Sequence, residues 1–116
     1  MTLKKFDVVI VDFGFDVIGS EQGGKRPALI IQNDIGNLHS NTTIVMPLTS
    51  QTKNLYQPTH TLLKKMKGNG LDTDSVLLGE CIRQVSKKRI KKYLGSITDC
   101  DQRKEVKRVY NANFGE

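Results

Sequence analysis

Short β-branched runs separated by turn signals constrain this chain more than any other feature. "DVVIVDF" (Asp7 to Phe13), "PALIIQN" (Pro27 to Asn33), "TTIVMPLTS" (Thr42 to Ser50) and "SVLLGECI" (Ser75 to Ile82) are each too short for a helix and rich in Val and Ile, so each reads as a strand. "PTHTLL" is a weaker candidate, and the breakers "KGNG" and "DTD" fall between it and "SVLLGECI". Pro47 has no ladder donor, which points to a strand edge or bulge near Thr49. Short strands at this spacing suggest a small barrel. Only the tail changes period: Thr98 or Asp99 can cap a helix over Asp101 to Phe114, with Val106, Val109, Tyr110 and Asn113 or Phe114 on one face. The expectation is a mainly β fold with a C-terminal α-helix, one domain over residues 1–116.

The chain has 116 residues, of which 37% are hydrophobic and 6% aromatic with no Trp, so one small core must rest on Val, Ile and Leu. No apolar run approaches the ~20 residues of a membrane span, and the N-terminus lacks the apolar stretch of a signal peptide. This reads as a cytoplasmic protein with no membrane partner. Cys81 and Cys100 do not form a disulfide framework and are expected to be reduced, small and semi-buried.

A formal net charge of +6 is less informative than its distribution. Between Asp34 and Asp72 there is no acidic residue, while Lys53, Lys64, Lys65 and Lys67 fall in that window. A second run, "SKKRIKKY", carries Lys87, Lys88, Arg89, Lys91 and Lys92. Such a surface suits a polyanion, because each neutralised phosphate releases condensed counterions; a solubilising face is the plain alternative.

The loop "GSEQGGKRPALIIQND" joins the first two strands. Gly19, Gly23 and Gly24 permit positive φ and close approach of a ligand, Glu21 and Arg26 supply opposite charges, and Pro27 holds Arg26 at a defined exit. It lacks the Walker spacing and leads into a strand, so it is not a nucleotide loop. His39 and His60 show no paired spacing and read as surface or packing residues.

The order "GSEQGGKRPALII", "NDIGN", "PLTSQ", "PTH", "DSVLLGECIR" resembles the MazF/PemK family of toxin endoribonucleases from about Asp7 to Tyr110. The resemblance implies an SH3-like β-barrel (the MazF/Kid/CcdB-like toxin fold), a homodimer, and cleavage of single-stranded mRNA without metal or other cofactor. It also implies neutralisation by a MazE-like antitoxin with an acidic tail. Carried over residue by residue, Arg26 stands at the family's catalytic arginine and Thr49 at its catalytic threonine or serine. Glu21 and Glu80 stand at acidic positions implicated in some members. RNA-binding roles are expected for Gln22, Lys25, Asn33, Ser50, Gln51, Lys53 and Arg83, and Tyr56, in the basic window, can stack on an unpaired base, with a core or surface role as the plain alternative. Two departures stand out: the opening "R-G-D" is Lys5-Phe6-Asp7, and a common glutamine is Cys81.

The chemistry is consistent with these residue types. Attack by the RNA 2′-hydroxyl needs a proton acceptor, a donor to the leaving 5′-oxygen, and donors for the charged phosphorane. A guanidinium can clamp two phosphate oxygens at once, and a threonine hydroxyl can add a third bond. Glu21, Glu80, the deprotonated fraction of Arg26 and water all stand as candidates for the base. Two other classes compete: a CcdB-like gyrase poison, which has no need of Arg26 with Thr49, and a passive RNA-binding barrel, which needs more stacking aromatics than this chain has.

Overall fold

The computed structural model describes residues 2–15, 18, 23–51 and 54–115. Among them the order is β1 (Asp7–Asp12), β2 (Lys25–Ile30), α1 (Asp34–His39), β3 (Thr42–Thr49), β4 (His60–Leu63), β5 (Ser75–Leu78), β6 (Arg83–Ser86), β7 (Ile90–Ser96) and α2 (Cys100–Ala112). All pairings are antiparallel, in the order β4-β5-β3-β2-β1-β7, with β6 also on β3.

Strand alternation divides the apolar side chains between two cores. One face of β1, β2 and β3 presents Val9, Val11, Ala28, Ile30 and Val45, which pack with Leu3, Phe13 and Val85 inside the curled wall β7-β1-β2-β3-β6. The other face presents Val8, Leu29, Met46 and Leu48, which pack with Leu63 and Leu77 under Val106 and Val109 of α2. The wall is barrel-like but not closed, since β6 and β7 meet through the 3-10 turn Lys87–Arg89 rather than through a ladder. Each fully buried Leu or Val contributes on the order of 1.5–3 kcal/mol, so two shared faces compensate for a core without Trp.

Three elements depart from the sequence reading. Helix α1 was not among the expected elements: the side chain of Asn33 accepts from Gly36 N, and buried Asn37 accepts from Thr43 and donates to Gln32 O. β6 and β7 flank and enter the basic run, and in β7 exposed lysines hide the alternation. "SVLLGECI" is a strand only to Leu78 and then turns as a 3-10 helix, Gly79–Cys81.

Pro47 lies buried opposite Ala28, in a strand paired on its β2 side and locally without a partner on the other. Ile31 N donates to Ile44 O at 2.9 Å, so two-residue alternation makes Leu29–Met46 a hydrogen-bonded rung and Ala28–Pro47 an open one. The missing N–H of Pro47 therefore faces the other side of β3. There β6 has ended at Val45 and β5 begins at Leu48, so no ladder bond is lost.

On α2, Asp99 rather than Thr98 is the cap, accepting from Gln102 N at 3.0 Å. Val106 and Val109 are buried as expected, whereas Tyr110, Asn113 and Phe114 are exposed. Cys81 is half-buried and Cys100 exposed, the latter because it opens α2 on its outer side. Phe6 takes φ +78°, a conformation costly for a bulky residue. Its ring is held by the Arg103 guanidinium at 4.4 Å and packs against the helix-side core, which explains how Phe is accommodated where the family often has Gly.

Candidate active site

Arg26 and Thr49 lie at the same end of one ladder. The β2–β3 ladder pairs Ile30 with Val45, Leu29 with Met46 and Ala28 with Pro47, and Arg26 and Thr49 each stand two residues beyond its last pair. Continuing that register would set them opposite each other on a rung of the open kind, in which facing side chains come closest. Both residues share the face of Ala28 and Val45, and both are half-buried at the mouth of the barrel wall.

Local bonds set the direction of each group. Arg26 Nε donates to Gly23 O at 3.1 Å, tying the guanidinium to the turn that enters β2. That turn is itself pinned: Gly24 N donates to Gly14 O at 2.7 Å and Phe13 N to Gly24 O at 2.9 Å. Gly24 adopts φ +73°, which a side chain would disfavour. Thr49 Oγ1 accepts from Gln51 N at 3.2 Å, and with its oxygen acting as acceptor the hydroxyl keeps its proton to donate.

Arg83 pairs with Val45 across β3 and so rises on the same face as Thr49, its guanidinium 5.4 Å from the Phe13 ring. Ser50 and Gln51 continue directly from Thr49 and are exposed. Tyr56 is 97% exposed, with its N–H on Asn54 Oδ1. Lys25 is exposed beside Arg26 but on the opposite face of β2. Phe15, 92% exposed at the edge of the β1–β2 segment, is a second outward aromatic that sequence reasoning passed over. Glu21, Gln22 and Lys53 lie outside the described residues.

Asn33 does not join this group. It lies seven residues along from Arg26, roughly 20 Å in extended chain, and its side chain is occupied as the α1 cap. Beside it, Lys5, Ile31, Gln32, Lys107 and Tyr110 help line a cleft of about 490 Å³ at the far end of β2 from Arg26.

Glu80 stands in a corner built with a residue the sequence reading had set aside. Thr49 pairs with Val76, and one pleat further along β5 Leu78 pairs with His60, so His60 lies on the same face two strands across. His60 is buried, its Nε2 2.7 Å from Glu80 Oε2 and its Nδ1 2.7 Å from Asn54 O. Glu80 Oε1 accepts from Thr59 Oγ1 at 3.1 Å. Partial burial raises the pKa of Glu80, but the hydrogen bond from His60, its backbone bond, the His60 charge and Thr59 outweigh it, leaving the group below the ordinary carboxylate value. Only its sequence neighbour "PTH" hinted at this pair.

Comparison with known proteins follows the same outline. Residues 4–112 match the family described as PemK-like, MazF-like toxin of type II toxin-antitoxin system. The chain is 44% identical over 110 residues to the endoribonuclease MazF of Staphylococcus saprophyticus, covering 95% of this chain and 87% of that protein. Its fold is similar to the crystal structure of MazF from Deinococcus radiodurans, with a TM-score of 0.81 at 24% identity over 100% of this chain and 99% of that one. It is also similar to an endoribonuclease in complex with its cognate antitoxin from a mycobacterial species, with a TM-score of 0.78 at 20% identity over 97% and 95% of the two chains. Matched over nearly its whole length in sequence and in fold, the chain belongs to the PemK-like, MazF-like toxin family of type II toxin-antitoxin systems.

Proposed function

We propose that Arg26 and Thr49 bind and polarise the scissile phosphodiester of single-stranded RNA, and that the 2′-hydroxyl of that RNA is the nucleophile. The chain is an endoribonuclease toxin of a toxin-antitoxin system. The observation that supports the assignment of its site is the β2–β3 register, beyond whose last pair, Ala28–Pro47, Arg26 and Thr49 each stand two residues on. In this reading the Arg26 fork holds two non-bridging oxygens and gains strength as charge builds on the phosphorane, while Thr49 donates to the same phosphate. A lysine would act there only as a point charge.

The base is a carboxylate or water. With both oxygens engaged and its proton affinity lowered, Glu80 is a weak acceptor, which favours Glu21 between the two carboxylates. Arg83, Lys25, Ser50 and Gln51 would guide the strand, Tyr56 would stack on an unpaired base, and Gln22 and Lys53 would add contacts from the flanking loops. The protein acts in the cytoplasm as a homodimer, and a MazE-like antitoxin lays its acidic tail over the same face. Among the described residues no helix is long and apolar enough to cross a membrane.

The test is cleavage of a mixed single-stranded RNA pool in EDTA. The expected products carry 2′,3′-cyclic phosphate and 5′-hydroxyl ends, and a 2′-deoxy substitution at the cut site blocks the reaction. RNA left whole, or cut despite the 2′-deoxy substitution, refutes the assignment.

A further inference from the structure

The ring of His60 faces two acceptors. Nδ1 meets the backbone carbonyl of Asn54 at 2.7 Å and Nε2 meets the Glu80 carboxylate at 2.7 Å. A carbonyl can only accept, and an ionised carboxylate can only accept, so both contacts are hydrogen bonds when the imidazole carries two protons. With one proton on Nδ1, the lone pair of Nε2 would confront a carboxylate oxygen at that separation.

The bridge spans a segment that little else holds at its tip. Asn54, Leu55 and Tyr56 are exposed, and the turn that contains them closes through Gln57 N to Asn54 O at 3.3 Å and His60 N to Gln57 O at 2.9 Å. From the opposite side Glu80 reaches the same segment through Thr59, whose hydroxyl also accepts from Gln57 Nε2 at 3.0 Å. The charged groups that face His60 from other elements are Glu80 on the 3-10 turn and, from α2, Arg108, whose guanidinium donates to His60 O at 3.2 Å and is paired with Glu105. Arg108 holds the base of the turn, through Pro58 O and His60 O, while the imidazole reaches its tip at Asn54.

We propose that His60 is a positioning residue whose doubly protonated ring clamps residues 54–59 against Glu80, making the RNA-facing segment that bears Tyr56 ordered at low pH and loose once the ring loses a proton. The link to RNA rests on the function proposed above; the clamp itself does not. Deprotonation leaves one proton for two acceptors, so the ring gives up one of its two contacts, which frees the turn and weakens the binding of RNA without touching the scissile phosphate.

The experiment has two arms. In the first, ¹⁵N-edited NMR of the free protein follows both ring nitrogens of His60 and the amides of residues 54–59 across a pH titration. Order in that segment should fall in step with the loss of the second ring proton, and Glu80→Gln should loosen it from the start. In the second arm, His60→Gln should raise KM for a short RNA about tenfold with kcat little changed, and should lose the rise in KM with pH that the wild-type protein shows. A segment equally ordered on both sides of the His60 titration and in Glu80→Gln overturns the clamp, as does a His60→Gln defect confined to kcat. If the wild-type protein cuts no RNA, the functional reading falls and the first arm alone decides the clamp.

Discussion

The rung at Arg26 and Thr49 and the corner at His60 and Glu80 solve the same problem, bringing together polar groups some twenty residues apart in sequence, in opposite ways. The rung depends on register: two strands held by the rungs from Ala28–Pro47 to Ile30–Val45 continue toward Arg26 and Thr49, and local bonds orient both side chains. The corner has no repeating backbone, so it is assembled from a chain of bonds through Gln57, Thr59, Glu80, His60 and Asn54. A rung held by strand geometry leaves its groups at the protein surface for a ligand and is indifferent to pH. A corner held by side chains is consumed by its own bonds and carries a titratable link.

The sharpest way to break this contrast is Arg26→Lys, expected to reduce single-turnover RNA cleavage by about a hundredfold or more while leaving the urea midpoint unchanged, since a point charge cannot replace the fork. Cleavage near the wild-type rate would remove Arg26 from the chemistry. Next comes Gly79→Ala, at the base of the corner. A Cβ there would lie 2.3 Å from Val109 Cγ1 and 2.8 Å from Thr59 O, so stability should fall by about 1–3 kcal/mol by urea unfolding, with loosening of α2 and of residues 58–60. Thr49→Val, which keeps shape and removes the hydroxyl, should slow cleavage about five- to tenfold, and combined with Arg26→Lys the losses should not add, because both groups serve one phosphate.

The smallest effect is expected from Glu80→Gln on stability. Since the folded state holds Glu80 below its ordinary value, its contribution is present above the ordinary carboxylate range and is lost as pH falls through the lowered folded value. The variant should therefore show a flatter acid limb in denaturation followed between neutral pH and pH 3. Its exposure of 40% keeps the difference small. An unchanged acid limb would show that the His60 bond does not favour the charged carboxylate.

Legibility in the sequence followed burial. β1, β2, β3 and the first half of "SVLLGECI" were readable because strands covered on both faces must be continuously apolar. β7 was not, because four of its seven residues carry Lys, Tyr or Gly and its outer positions face solvent, the composition that blunts a sheet edge. α1 is only six residues long, and its buried residue is Asn37, which is satisfied by Gln32 and Thr43 rather than by an apolar stripe. Arg26, Thr49 and Glu80 were singled out through a family motif, but His60 was passed over because a single histidine between two threonines has no local sign of its partner twenty positions away.

Local chain chemistry alone thus dictated a β-rich fold with one terminal helix and the basic windows, since strand patterning and side-chain type are properties of neighbours in sequence, while the order of its motifs pointed to Arg26 and Thr49. Only three-dimensional packing decided that Pro47 lies where β3 changes partners, that Asn33 caps a helix instead of facing the site, and that His60 bridges Asn54 to Glu80. Those outcomes depend on which strands pair and at what register, a long-range choice made by burial of two apolar faces at once.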